Sequence, residues 1–191
     1  MTRSFTWGSE LPRLQGAKVQ LRALRDDDAP AVFAIFGDPE VMKFWSSPPM
    51  ADVAAAAALV AELQTFFDRR HLFQWGITRH DGGEVLGTCT LHNLELEHRR
   101  AEVGFALRRD VWGQGLAADA LSTLIRFSFA ELDLHRLEAD ADPQNERSLR
   151  LLERQGFRRE GYLRERWHHL GEVQDAVFLG LLRPEWTGTG T

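Results

Sequence analysis

The amino-acid sequence predicts an α+β domain built around one mixed, mostly antiparallel sheet with flanking helices. Short segments that alternate with period two, separated by turn residues, read as strands, while fewer segments carry helical spacing. The order of the two kinds is the third observation. Hairpin strands come first, a single strand–helix–strand crossover follows, and a hairpin closes the chain. A doubly wound parallel sheet needs repeated crossovers, which this order does not supply.

Lys18 to Leu24 alternates as a strand, with Val19, Leu21 and Ala23 on one face. Asp26, Asp27 or Asp28 then caps a short helix to about Phe36. Asp38-Pro39 and Ser46-Ser-Pro-Pro49 read as loops. Residues 51–70, alanine-rich with Leu59, Leu63, Phe66 and Phe67 at helical spacing, form a helix. Phe73 to Arg79 and Val85 to His92 read as a hairpin around Asp81-Gly82-Gly83, and Arg100 to Arg108 as the next strand. Gly115 to about Leu132 is a helix with Leu121, Leu124 and Ile125 on its apolar stripe. Arg136 to Ala141 is a strand, Glu146 to Gln155 a helix stopped by Gly156, and Phe157–Trp167 and Val173–Leu182 the closing strands.

Composition removes several function classes. The chain of 191 residues is 43% hydrophobic and 27% charged, enough to bury a core without disulfides or a structural metal. A net charge of −5 provides no basic field for nucleic acid or an anionic membrane surface. Cys89 stands alone, which excludes an internal disulfide and a multi-cysteine zinc site, and the scattered histidines show no metal-ligand spacing. Residues 1–10 contain no apolar signal core, and the run Val53–Ala61 is short of the roughly 20 apolar residues a bilayer requires. A cytoplasmic protein without metal is therefore expected.

The densest chemical signal is Arg108-Arg-Asp-Val-Trp-Gly-Gln-Gly-Leu-Ala117, between a strand and a helix. Gly113 and Gly115 permit a tight turn and close approach of a ligand to the backbone. The following helix offers unpaired N–H groups and the positive end of its dipole, a phosphate cradle. Gly113-Gln-Gly-Leu-Ala-Ala118 also matches the dinucleotide pattern G-x-G-x-x-A, with Glu138 at about the right distance. Against that reading, Arg108, Arg109, Asp110 and Trp112 separate strand from glycine, and there is no series of βαβ units. No Lys-Ser or Lys-Thr follows the glycines, which excludes a P-loop.

A second segment, Asp142-Pro-Gln-Asn-Glu-Arg-Ser148, follows a strand and opens a helix that ends before Gly156-Phe157. Asn145 is a good N-cap by itself. The combination of strand, Trp-Gly-x-Gly-x-Ala, helix, strand, Asn-x-x-Ser, helix and Gly-Phe resembles the Gcn5-related N-acetyltransferases (GNAT). The likeness is strongest to the branch of RimJ and RimL, the ribosomal-protein N-terminal acetyltransferases. It extends over residues 14–184, with 1–13 and 185–191 as terminal extensions, and includes Leu21-Arg-Ala-Leu24, Asp38-Pro-Glu-Val41, Ala101-Glu-Val-Gly-Phe105 and His135-Arg-Leu-Glu-Ala139.

The resemblance implies a GNAT fold in which the Val103–Arg108 and Arg136–Ala141 strands are parallel and splay apart, with acetyl-CoA as cosubstrate in the gap. It implies that backbone groups near Ala106, Leu107 and Arg108 pair with the pantetheine, and that the N–H groups of Gly113, Gln114, Gly115, Leu116 and Ala117 hold the pyrophosphate. Trp112 stands where many relatives carry Gln or Arg. Asn145 would bond the pantetheine arm, while Arg108, Arg109, Arg147 and Arg150 are phosphate candidates for which a solvated face is the favoured reading.

Direct acetyl transfer needs a neutral amine, a proton acceptor and an oxyanion donor. The resemblance gives the last role to a backbone N–H near Leu107 and the base to Glu102, although an ordinary polar strand residue would read the same way. The tyrosine that often protonates the thiolate is replaced by Leu152, and the chain's only tyrosine is Tyr162. Ser148 becomes the acid candidate, against its simpler reading as a first-turn serine. Acceptor recognition is expected from the Phe33–Trp45 region, the loop before the alanine-rich helix and the closing hairpin, with Trp45, Trp167, His168 and His169 foremost. The expected acceptor is a protein N-terminus or a small amine such as an antibiotic, polyamine or amino acid; a CoA-binding regulatory module without catalysis is the alternative. An exposed closing hairpin would also permit a homodimer.

Overall fold

Alternation and turn chemistry place eight strands in one sheet among the described residues, 8–169 and 171–188, of a computed structural model. In chain order these are β1 (Leu14–Gln15), β2 (Val19–Ala23), β3 (Leu72–Arg79), β4 (Gly87–Glu95), β5 (Arg100–Leu107), β6 (Arg136–Ala141), β7 (Arg158–His169) and β8 (Glu172–Leu182). The helices are α1 (Ala29–Phe36), α2 (Pro39–Met42), α3 (Val53–Asp68), α4 (Leu116–Ala130) and α5 (Glu146–Arg154). The spatial order of strands is β1-β2-β3-β4-β5-β6-β8-β7, and each neighbouring pair is antiparallel except β5–β6. A sheet with one parallel pair cannot form the surface across which a dinucleotide lies, so the G-x-G-x-x-A match is set aside.

Two local readings are corrected. Asp38-Pro39 opens α2 rather than a loop, because the Asp38 carboxylate accepts a hydrogen bond from the Glu40 N–H at 2.9 Å and proline suits a first helical position. Asp28 stands at the N-cap of α1 as expected, but its side chain does not cap that helix. Its carboxylate takes a two-pronged bond from the Arg22 guanidinium, at 2.6 and 2.8 Å, and another from the Arg25 N–H. Met1–Trp7, Leu170 and 189–191 lie outside the described residues, and with them half of the expected terminal extensions and the His169 side chain.

The core explains the central strands. β3 is buried on both faces, and Phe67 of α3, Phe73, Trp75 and Phe127 of α4 stack in sequence at centroid distances of 5.2, 6.1 and 5.7 Å. Cys89 packs in the same core, where burial pushes its thiol up to about 12. A smaller cluster joins α1, α2 and α3 to Val85 and Ala106. α4 is also fastened at its first turn: the Asp119 carboxylate accepts bonds from the backbone N–H groups of Ala17, Lys18 and Val19 at 2.7–2.9 Å.

The feature that positions the site is where β5 and β6 part. Their parallel pairing covers only Arg100–Glu102 against Arg136–Glu138. Beyond it β5 continues with β4 as far as Leu107, while β6 leaves with β8 as far as Ala141. Charges close the paired end. Glu138 sits between Arg100 and Arg136, each at 2.6 Å, and those arginines reach on to Glu95 and Glu160.

Candidate active site

A cleft of about 290 Å³ opens at the parting of β5 and β6. Glu102, Gly104 and Phe105 form one wall and Ala139–Asp142 the other, with Asn145, Ser148 and Leu152 of α5 behind them. Trp45 and Trp167 close its outer part, from the loop after α2 and from β7.

The register determines which backbone groups face the gap. The Arg108 N–H donates to the Leu86 carbonyl at 2.9 Å, so Leu107 and Gly87 form a non-hydrogen-bonded pair and Ala106 exchanges its bonds with Thr88. Ala106 backbone groups are thereby committed to β4. The N–H groups of Phe105 and Leu107 turn the other way, to the side that β6 has left. The Leu107 carbonyl is taken by the Trp112 indole N–H at 2.8 Å, which leaves its N–H as the polar group directed at the gap.

The glycine loop continues from this point. Gly113 and Gly115 both have left-handed φ, +78° and +77°, a region that other residues enter at a cost of roughly 1–2 kcal/mol. A Cβ at Gly113 would meet nothing within 4 Å, so the space before it is open to a ligand. Gly115 is the N-cap of α4 and has no side chain to answer the first N–H groups of the helix. Open space before Gly113, unanswered helix N–H groups and an outward Leu107 amide together fit a diphosphate and an extended pantetheine amide arm.

The arginines beside the loop are largely committed. Arg108 pairs with Glu84 at 2.6 Å and Asp110 at 2.7 Å, and Arg109 with Asp38 at 3.4 Å. Arg147 lies over the Trp112 ring at 5.2 Å, while Arg150 pairs with Glu146. Gln114 is held through its side-chain oxygen by Arg79 and through its carbonyl by Lys18 Nζ at 3.4 Å. Glu138, the would-be ribose ligand, is buried between two arginines.

Within the cleft, Glu102 accepts from Asn93 Nδ2 at 2.9 Å, with His92 Nδ1 at 3.9 Å. Asn145 Oδ1 caps α5 by accepting from the Ser148 N–H at 3.2 Å, and both side chains line the cleft. His168 is exposed on β7 and is not among the lining residues. Tyr162 is exposed and donates to Asp175 Oδ2 at 2.6 Å, a bond that pushes its phenol up.

Several lining residues escaped the sequence reading. Asn93 has φ +48° beside an irregularity in the β4–β5 register between His92 and Glu95, and its side chain meets Glu102. Arg166 follows Glu165, whose φ is +54°, in a second irregularity between Leu163 and Trp167. Asp175 fastens that irregularity by accepting from the Glu165 N–H at 2.7 Å. Bulges re-aim side chains, and only a lone Asn in a strand hints at one in sequence. Asp140 was read only as part of a strand. Among the described residues no cluster of three His, Cys, Asp or Glu is arranged to hold a metal, and no helix is long and apolar enough to cross a membrane.

Comparison with known proteins agrees with this geometry. Residues 18–158 match the model of the acetyltransferase (GNAT) domain. An uncharacterized N-acetyltransferase, YoaA, of Bacillus subtilis (strain 168) is 32% identical over 173 residues, covering 91% of this chain and 98% of that protein. The ribosomal protein uS5-alanine N-acetyltransferase of Escherichia coli (strain K12) is 27% identical over 192 residues, covering 96% and 98%. The fold superposes with a TM-score of 0.78 on the spermidine N-acetyltransferase of Vibrio cholerae in complex with CoA and spermine, at 22% identity over 87% of this chain and 96% of that one. With a split parallel pair, a glycine-opened helix mouth and a matching domain across most of its length, the chain belongs to the GNAT family of acetyltransferases.

Proposed function

We propose that this chain transfers an acetyl group from acetyl-CoA directly to a primary amine, a protein or peptide N-terminal α-amine foremost. The observation that carries the reading is the parting of β5 and β6 after Glu102 and Glu138, with the Leu107 N–H on one side and the α4 mouth at its end. Acetyl-CoA brings the activated thioester. The residues of this chain then have distinct tasks. Gly113, Gln114, Gly115, Leu116 and Ala117 present backbone N–H groups to the pyrophosphate, beside Trp112, and Phe105 and Leu107 offer theirs to the pantetheine and the developing oxyanion. Arg108 and Arg109 frame the loop through their ion pairs rather than as free cations. Asn145, the N-cap of α5, and Ser148 in its first turn face the arm, and Ser148 serves as the acid for the departing sulfur. Glu102 faces the acceptor amine and is the carboxylate that the family resemblance puts forward as base, while Trp45 and Trp167 bound the acceptor's entrance.

A weakly basic acceptor suits a site of this kind. At pH 7 roughly 10–20% of an α-amine of pKa about 7.7–8.0 is neutral, against under 0.1% of lysine at about 10.4. Likeness to the uS5-alanine enzyme supports the same class. A polyamine is the second reading, favoured by the carboxylates of Glu102, Asp140, Asp142 and Asp175 along the cleft. Thiol release from acetyl-CoA, measured with peptides beginning Ala or Ser and with spermidine, separates the two. Faster turnover of the peptides is expected. Turnover of spermidine alone would reverse the order, and no turnover with any amine would reject the catalytic reading.

A further inference from the structure

Glu102 is not the only carboxylate at the parting of the strands. Asp140 lies on β6, two residues past Glu138, where the pairing with β5 ends, and it lines the same cleft. Its Oδ2 is buried and accepts no hydrogen bond; the nearest cation is Arg166 Nε at 3.5 Å. Glu102 differs, since Asn93 already donates to its Oε1. A buried oxygen held by one long ion pair and no hydrogen bond, on the wall of a cleft that admits an amine, is suited to receive an N–H proton. We propose that Asp140 is a second catalytic carboxylate, accepting the proton of the acceptor nitrogen while Glu102, fixed by Asn93, orients that nitrogen. This deepens the acetyl-transfer reading and rests on it.

In this scheme the C–N bond forms and the thioester C–S bond breaks. The nitrogen's proton passes to Asp140 and then to solvent, and the sulfur leaves with a proton from Ser148 or water. The charged groups facing Asp140 come from every neighbouring element. They are Glu102 of β5, His92 of β4, Arg166 of β7, Asp175 of β8 and Asp142 beyond the end of its own strand. Burial, followed by the charge of Glu102, pushes the Asp140 carboxyl up, and Arg166 and His92 offset this only in part. The proton is thereby held more firmly than an ordinary aspartate would hold it, as a base requires.

The test has two readouts. Carboxyl carbon NMR of the full chain, with the resonance assigned by Asp140→Asn, should show Asp140 titrating above the usual aspartate value of about 3.9 and falling in Glu102→Gln. Asp140→Asn should lower kcat about 100-fold with an alanyl peptide or spermidine, and should remove the acid limb of the pH profile. Its acetyl-CoA Kd should stay within about twofold, since general-base catalysis is separate from cosubstrate binding. An Asp140 that titrates at or below the usual value, or a variant that keeps most of its kcat with an unchanged acid limb, overturns the proposal. Failure of the acetyl-transfer reading would show separately, as absence of acetyl-CoA binding by the wild type; the NMR titration would still decide the state of Asp140.

Discussion

Glu138 and Asp140 are next-but-one neighbours on β6, and strand geometry turns them to the same face, yet one is surrounded by cations and the other is not. Around Glu138 the sheet is closed: β5 is in register alongside, and Arg100 and Arg136 bracket the carboxylate in a chain that reaches Glu95 and Glu160. Around Asp140 the neighbouring strand has gone, a cleft takes its place, and Oδ2 has a single loose ion pair, with Arg166 Nε at 3.5 Å. The ion pairs stabilise the junction from which the strands diverge. The carboxylates with fewer partners lie where the strands have diverged, and they line the cleft.

This contrast can be broken most severely at the closed end. Glu138→Ala strips a buried carboxylate from two arginines and is expected to cost about 3 kcal/mol, discounted for the arginines' remaining partners. In urea unfolding that appears as a lower midpoint, and on heating as a Tm about 6–12 °C lower. At the open end, Gly113→Val should weaken acetyl-CoA binding more than tenfold by calorimetry, while the strain of a left-handed valine costs roughly 1–2 kcal/mol of stability.

A smaller effect has the opposite sign and sharpens the comparison. Because Asp140 is held above its unfolded value, the native state keeps that proton to higher pH than the unfolded chain does. Wild type therefore loses stability as pH rises through the folded pKa, and Asp140→Asn does not. At pH 7 the variant should have an equal or higher Tm. An Asp140→Asn protein as destabilised as Glu138→Ala would mean that both ends are structural. Asp28 behaves in the reverse sense. Burial alone would raise its carboxyl, but the bonds from Arg22 and the Arg25 N–H outweigh that and hold it low. Its stabilisation is present above the usual aspartate range and is lost as pH falls through the folded value, below about 4. The smallest effect is assigned to Ser148→Ala, a loss in kcat within about tenfold, since water can also protonate the sulfur.

What was legible in the sequence follows the same division. The glycine loop and the Asn145 cap are local devices: left-handed φ demands Gly113 and Gly115, and a helix start demands an oxygen near its third N–H, so each is written in adjacent residues. The strand Arg136–Ala141 was readable for the same reason. Resemblance to a family pointed to Glu102. Asp140, Asn93 and Arg166 were not readable, because their roles come from where two strands stop pairing and from bulges at Asn93 and Glu165, which depend on neighbours far along the chain. The Ala106 expectation had the same weakness. A one-residue question of register decides whether Ala106 or Leu107 turns its N–H to the gap.

Whether the parted strands and the glycine-opened helix mouth hold acetyl-CoA is decided by calorimetric titration of the full chain, run beside Gly113→Val. The wild type should bind saturably and gain about 2.7 kcal/mol in stability at a hundredfold excess over Kd, and the variant should lose most of that affinity. A wild type that takes up no acetyl-CoA, or a Gly113→Val protein that binds as tightly as wild type, would contradict this assignment.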